Sequence, residues 1–122
     1  MQTMIKKDGF KFDFASYNGS VPMIDFLDSL TIKERALILK NIEKLIEYKN
    51  NNYNLSTKFT KYLKDGIFEL KVQLQNKTSR NLYFYEKDQM IIFTNGFIKK
   101  SQKTPSKEIN KAKMIKEAYQ NE

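Results

Sequence analysis

Three β-favouring segments follow one another in the second half of the chain, with only short polar links between them. They span residues 66–74, 80–85 and 90–94. The links, residues 75–79 and 86–89, are too short for the crossover that joins a parallel pair of strands. The order therefore predicts an antiparallel meander. The third segment is almost entirely apolar, which indicates an interior strand.

A strand and two helices are predicted before the meander. Residues 10–15 alternate apolar and polar side chains, as in a half-buried strand. Ser20 is the expected N-cap of a short helix with Pro22 in its first turn. Thr31 and Glu34 match a capping box that begins a second helix, which runs to about Tyr48. Residues 56–64 carry no pattern that predicts their structure.

A last helix is expected from Thr104 as N-cap and Pro105 at its first position. The predicted order is β-α-α-β-β-β-α, an α+β fold. We expect one domain over residues 1–122: an antiparallel sheet of about four strands, with the N-terminal helical hairpin packed on it and a C-terminal helix.

The composition excludes several kinds of chemistry. The chain has no Cys and no His, so zinc sites of the usual kind, disulfides and histidine bases are ruled out. Any catalysis must use Lys, Arg, Tyr, Asp or Glu. The first residues lack the apolar run of a signal peptide, and no stretch is long enough to span a membrane. We therefore expect a cytoplasmic protein.

Positive charge is concentrated near the C-terminus. The formal net charge is +8, and residues 97–116 hold seven lysines and one acid, a local net charge of +6. Such a segment attracts phosphate groups, which favours nucleic acid as a partner. A solvated lysine-rich surface is the alternative interpretation.

Four groups of residues are candidates for function. Glu69 and Lys71 share the polar face of the first meander strand, an arrangement that is also ordinary for an exposed sheet face. Arg80 suits bidentate phosphate contact, or else pairs with Glu69 or Glu86. The segment 96–105 combines a glycine, cations and a helix N-terminus, which predicts an anion site with Lys99 or Lys100 exchanging protons. Tyr83 and Tyr85 are expected either to stack on bases or to belong to the core.

These residues together resemble the HigB branch of the RelE/ParE toxin superfamily. The resemblance rests on Asp25-Phe26-Leu27, on residues 64–71 and 80–84, and on residues 95–105 with Glu108-Ile109. It covers about residues 10–119. It implies a type II toxin that acts on the ribosome, cleaves translated mRNA and uses no metal or cofactor. It also implies a cognate antitoxin with a HigA-like helix-turn-helix domain in a hetero-oligomeric complex. No membrane partner is expected, because no stretch of the chain is long enough to span a membrane.

The resemblance also assigns roles to residues. It implies that Arg80 contacts the scissile phosphate, that Lys71 replaces a usual arginine, and that Lys99, Lys100 and Lys103 form a terminal basic motif. The full candidate set is Glu69, Lys71, Arg80, Lys99 and Lys100 for catalysis, and Lys64, Tyr83, Tyr85, Gln102, Lys103 and Lys107 for RNA binding.

Two points stay open at this stage. Asn95 stands where many relatives have histidine, so the sequence does not identify the general base. A ParE-like gyrase inhibitor and a non-catalytic RNA-binding or ribosome-binding module are the alternative functions.

Overall fold

The computed structural model describes residues 9–122, which form three α-helices and one five-stranded sheet. The elements are β1 (Lys11–Phe14), α1 (Pro22–Asp28), α2 (Ile32–Asn50), β2 (Thr60–Lys64), β3 (Ile67–Gln73), β4 (Thr78–Glu86), β5 (Met90–Ile98) and α3 (Ser106–Gln120). The α+β class and the antiparallel meander of β3, β4 and β5 are confirmed. The statement about a signal peptide concerns residues 1–8 and lies outside the described residues. Among residues 9–122, no helix has the length and apolar character needed to cross a membrane.

The sheet has five strands where the sequence predicted about four. Its order is β1-β5-β4-β3-β2, with β1 parallel to β5 and the other pairs antiparallel. The additional strand, β2, lies in the segment whose structure the sequence did not predict. It joins β3 through Asp65 and Gly66, both in the left-handed region at φ 53° and 80°. As an edge strand it carries Lys61 and Lys64, and charged side chains of this kind discourage pairing with another chain.

Both faces of the sheet are covered. On one face, α1 and α2 pack on the apolar side of β3 and β5 through residues such as Met23, Ile38, Leu70 and Phe93. On the other face, α3 packs on Leu82, Phe84 and Ile92. The predicted placement of the helical hairpin on the sheet is confirmed. The strand side chains that face α3 include the polar face of β3.

The helix starts agree with the sequence in one case out of three. Thr31 and Glu34 form the predicted capping box, with both reciprocal hydrogen bonds present. Ser20 is not the cap of α1: Val21 occupies that position, and the Ser20 hydroxyl donates to the backbone of Tyr17. Thr104 is not the cap of α3, which begins at Ser106, because its hydroxyl is bonded elsewhere.

The glycine of the C-terminal segment lies inside a strand. Because Leu82 on β4 faces both Thr94 and Asn95, β5 contains a bulge and continues past its predicted end. Gly96 is therefore in the sheet, where a Cβ atom would overlap the ring of Phe26 and approach the side chain of Asn81. A glycine is needed at this position because the side chains of Phe26 and Asn81 lie close to its backbone, and not because the backbone must be flexible.

Candidate nucleic-acid interface

A buried ionic group connects the sheet to the C-terminal basic segment. Arg80 on β4 and Glu69 on β3 both point toward α3, and their side chains are 2% and 0% exposed. Arg80 Nη1 lies 3.3 Å from Glu69 Oε1 and donates to the Thr104 hydroxyl at 2.6 Å. Thr104 in turn donates to the same carboxylate oxygen. We call Glu69, Arg80 and Thr104 the clasp.

The clasp also holds the backbone of the segment before α3. Arg80 Nη2 donates to the carbonyl oxygen of Ser101 at 3.2 Å and to that of Gln102 at 2.6 Å. A guanidinium group suits this arrangement because its donors are fixed in one plane. The pairing of Arg80 with Glu69, one of the two sequence alternatives, is confirmed. The segment from Lys99 to Pro105 is thereby fastened to the sheet.

Burial of the clasp corrects part of the expected site. The implied contact of Arg80 with a scissile phosphate does not fit this structure, because its guanidinium is covered by the segment that it binds. Glu69 is likewise closed off from any bound RNA. The two side chains bind the segment before α3 and are not exposed to a bound RNA.

An open basic cleft lies beside the clasp. Its volume is about 420 Å³, and it is lined by Ser56, Lys58, Phe59, Lys71, Gln73, Thr78 and Lys99. Strand register explains the position of Lys71, which pairs with Arg80 across β3 and β4. Lys71 Nζ donates to the carbonyl oxygen of Thr57 at 3.2 Å. We call this cavity the basic cleft.

Lys71 is a cation whose pKa is lowered by its surroundings. Its partial burial lowers its pKa below the usual lysine value, and the nearby positive charges of Lys61, Arg80 and Lys99 act in the same direction. The carboxylate of Glu69 opposes the shift. Lys71 therefore gives up a proton more readily than a free lysine does.

Lys99 and Lys100 lie in two different places. Lys99 extends from the end of β5, where its backbone N–H donates to Thr78 at 2.8 Å, and its side chain lines the basic cleft. Lys100 lines a separate groove with Phe26, Phe97 and Lys107. The two lysines are therefore not alternatives for one role. Gln102 and Lys103 are exposed on the loop between them and α3.

Two tyrosines expected to bind RNA lie away from the cleft. Tyr83 is fully buried, and its hydroxyl oxygen lies 2.6 Å from that of Thr60. Tyr85 packs against Phe68 in the same aromatic cluster, on the sheet face opposite to Arg80. The base-stacking role is wrong for Tyr83 and does not fit the position of Tyr85.

Lys64 lies at the opposite end of the strand pair. It pairs with Ile67, four residues before Lys71, which is about 13 Å along the strand. It is exposed, and it is not among the residues that line the basic cleft.

Sequence reasoning missed part of the cleft. Ser56, Lys58 and Thr78 line it, and the charge of Lys61 acts on Lys71. All but Thr78 lie in the segment with no predicted structure. The pairing of β2 with β3 brings that segment to Lys71, and a lysine-rich stretch before a β-hairpin was the only available signal.

The comparisons with known proteins place the chain in a family. No curated protein matches the chain. The family described as "Phage derived protein Gp49-like (DUF891)" matches residues 25–117, from α1 to α3, a range that includes the clasp and the basic cleft. This family implies an antitoxin as partner. The chain belongs to the Gp49-like family, a family of type II toxins related to the RelE-like toxins.

Proposed function

We propose that the protein is a HigB-like toxin that cleaves mRNA on translating ribosomes in the cytoplasm, without a metal, until a cognate antitoxin neutralises it. The observation that carries this proposal is the basic cleft, in which a lysine with a lowered pKa lies among other cations. The family match supports the toxin part of the proposal.

The cleft suits one phosphate of a single-stranded RNA. Lys58 and Lys99 supply positive charge at its walls, and the hydroxyl of Ser56 is a further hydrogen-bond donor. These groups recognise phosphate and sugar without reading base identity. Lys100 and Lys107, together with the exposed Gln102 and Lys103, extend the cationic surface along the adjoining RNA. Codon preference would then come from the ribosome or from contacts outside the cleft.

RNA contains its own nucleophile, the 2′-hydroxyl. The protein therefore needs only to remove the proton of that hydroxyl and to stabilise the negative charge that develops. Lys71, in its neutral form, takes the proton of the 2′-hydroxyl as the 2′-oxygen bonds to phosphorus. The bond from phosphorus to the 5′-oxygen breaks, and that oxygen takes a proton from water, leaving a 2′,3′-cyclic phosphate. Lys58 and Lys99 stabilise the negative charge that develops on the phosphoryl oxygens. Proton transfer of this kind contributes roughly 10²- to 10⁴-fold in rate.

The clasp acts as a positioning device in this proposal. Lys99 is two residues before Ser101, whose carbonyl oxygen Arg80 binds. Holding this backbone keeps the Lys99 side chain beside Lys71. Arg80 and Glu69 therefore contribute to catalysis through the placement of lysines, and neither touches the substrate.

Expression in bacterial cells tests the proposal. The wild-type chain, Lys71→Ala and the control Lys64→Ala are induced, and protein synthesis and the ends of messages are measured. We expect the wild type and Lys64→Ala to stop translation with cuts inside translated messages, and Lys71→Ala to make no cuts. DNA damage with intact messages would identify a gyrase inhibitor. Arrest of translation without cuts would identify a binding module, and full cleavage by Lys71→Ala would refute the assigned base.

A further inference from the structure

A second open groove lies on the other side of the β3 end. It has a volume of about 980 Å³ and runs between the first turns of α2 and the end of β3. It is lined by Thr31, Ile32, Lys33, Glu34, Ala36, Leu37, Lys40, Gln73, Leu74 and Gln75. We call it the α2 groove. The proposed cleavage reaction uses none of its apolar residues.

Apolar side chains are exposed to solvent in the α2 groove. Ile32 is 79% exposed and Leu37 is 37% exposed, while Leu74 forms a buried floor at 3%. The capping box at this helix start uses Thr31 and Glu34, so it does not require an isoleucine between them. Apolar side chains gathered in one open groove are typical of a protein-binding surface.

The free charge around the groove is positive. Lys33 and Lys40 are exposed at its sides. The carboxylate of Glu34 is already occupied, because one oxygen accepts the Thr31 N–H at 3.0 Å and the other lies 3.2 Å from Lys77 Nζ. An occupant that offers apolar side chains and carboxylates would therefore match both the floor and the sides of the groove.

We propose that the α2 groove binds an acidic amphipathic segment of the antitoxin. Its apolar side chains lie on Ile32, Leu37 and Leu74, and its carboxylates face Lys33 and Lys40. The identity of the partner as an antitoxin rests on the proposed function, whereas the chemistry of the segment rests on the groove itself. An RNA strand fits poorly, because the apolar floor offers its phosphates no partner.

One side chain connects this groove with the basic cleft. Gln73 lines both cavities. Its amide nitrogen donates to the carbonyl oxygens of Leu74 at 2.9 Å and Lys77 at 3.3 Å, and its amide oxygen accepts from Thr78 at 2.8 Å. Because Thr78 also lines the cleft, a segment seated in the α2 groove lies against the wall of the cleft. The antitoxin can reach the RNA site from there.

Two synthetic peptides of about 18 residues test this proposal, a length at which an amphipathic helix can form. They share leucines at helical spacing and differ only in carrying glutamates or lysines elsewhere. Each is titrated into isotope-labelled wild type, Ile32→Glu and the control Met114→Glu, and amide shifts are followed by NMR. Met114 is matched because it is also an exposed apolar residue, at 56% exposure, and lies on α3.

We expect the acidic peptide to shift amides along the α2 groove and the side-chain amide of Gln73. Ile32→Glu should raise the Kd roughly tenfold or more, since it removes an apolar contact and adds a like charge. Met114→Glu should leave the Kd unchanged. Equal binding of the lysine peptide, shifts elsewhere, or no shifts would overturn the proposal. Binding of the chain to phosphatidylcholine vesicles that Ile32→Glu abolishes would also overturn it, in favour of a membrane surface.

The peptide titration tests the docking site independently of the proposed RNA cleavage. Peptide binding is measured without RNA, and Lys71→Ala, which removes the assigned base, should bind the acidic peptide as the wild type does. A failure of cleavage with intact peptide binding refutes only the nuclease. A failure of peptide binding with intact cleavage refutes only the docking site.

Discussion

Arg80 on β4 donates through Nη2 to the backbone oxygen of Gln102 at 2.6 Å, so a buried strand residue holds the basic segment by its main chain. The contact leaves the Gln102 side chain exposed. The same guanidinium pairs with Glu69. One arginine therefore fixes the loop that carries the cations without occupying their surface.

Replacing Arg80 by Met should strongly destabilise the fold. It leaves the Glu69 carboxylate buried without a countercharge, which costs about 3–5 kcal/mol in comparable cases. Urea denaturation of the purified variant measures this loss. The double variant Arg80→Met/Glu69→Leu should lose less stability than the single variant, because no charge remains unpaired. A single variant as stable as the wild type would show that the pair is not buried in solution.

Lys71→Arg should abolish the pH dependence of cleavage. The lowered pKa of Lys71 means that its neutral form increases as pH rises through a range below the ordinary lysine value. The wild-type rate should therefore increase with pH over that range. Arginine stays protonated throughout, so Lys71→Arg should bind RNA and cleave it roughly 10²- to 10⁴-fold more slowly.

Initial cleavage rates on ribosome-bound messages, followed across the alkaline range, check this expectation. RNA binding measured on the same samples separates affinity from chemistry. An unchanged rate and pH profile in Lys71→Arg would assign the proton transfer to another residue.

Lys58→Ala should reduce the salt dependence of RNA binding. Each phosphate contact that is lost lowers the slope of log affinity against log salt by about 0.7 for single strands. Fluorescence anisotropy with a labelled oligoribonucleotide at several salt concentrations gives this slope. Lys64→Ala is the matched control, because it removes the same charge at the far end of the strand pair. Equal slopes for the two variants would place the RNA elsewhere.

Gly96→Ala should destabilise the junction of α1 and β5. The added methyl group would overlap the ring of Phe26, and overpacking of this kind costs about 1–3 kcal/mol. Thermal unfolding measures the change. The second-site variant Phe26→Leu shortens the opposing side chain and should make Gly96→Ala less costly in that background. If the losses of stability from Gly96→Ala and Phe26→Leu are additive in the double variant, the Phe26 ring does not pack tightly on Gly96 in solution.

Local patterns predicted most of the elements because their causes lie close together in the chain. The capping box of Thr31 and Glu34 needs only one helical turn. Alternation along β3 correctly placed Leu70 and Val72 on the apolar side. The strand β2 was missed because an edge strand needs apolar contact on one side only, and Thr60, Lys61 and Lys64 break its pattern.

The candidate site was predicted less completely, for a geometric reason. Glu69 and Lys71 share one face of β3, yet one is fully buried in the clasp and the other opens to the cleft. Lys99 and Lys100, adjacent in sequence, line different cavities. Residue type and spacing alone therefore do not distinguish a side chain that lines the cleft from one that is buried or lies in another cavity.

The sequence by itself determined the α+β class, the cap of α2, the apolar face of β3 and the concentration of positive charge near the C-terminus. Only the tertiary structure decided that Arg80 is buried, that the segment before β2 completes the cleft, and that the pKa of Lys71 is lowered. The reason is distance along the chain. Arg80 meets Thr104 across 24 positions, and burial, which sets both its role and the protonation of Lys71, depends on such contacts.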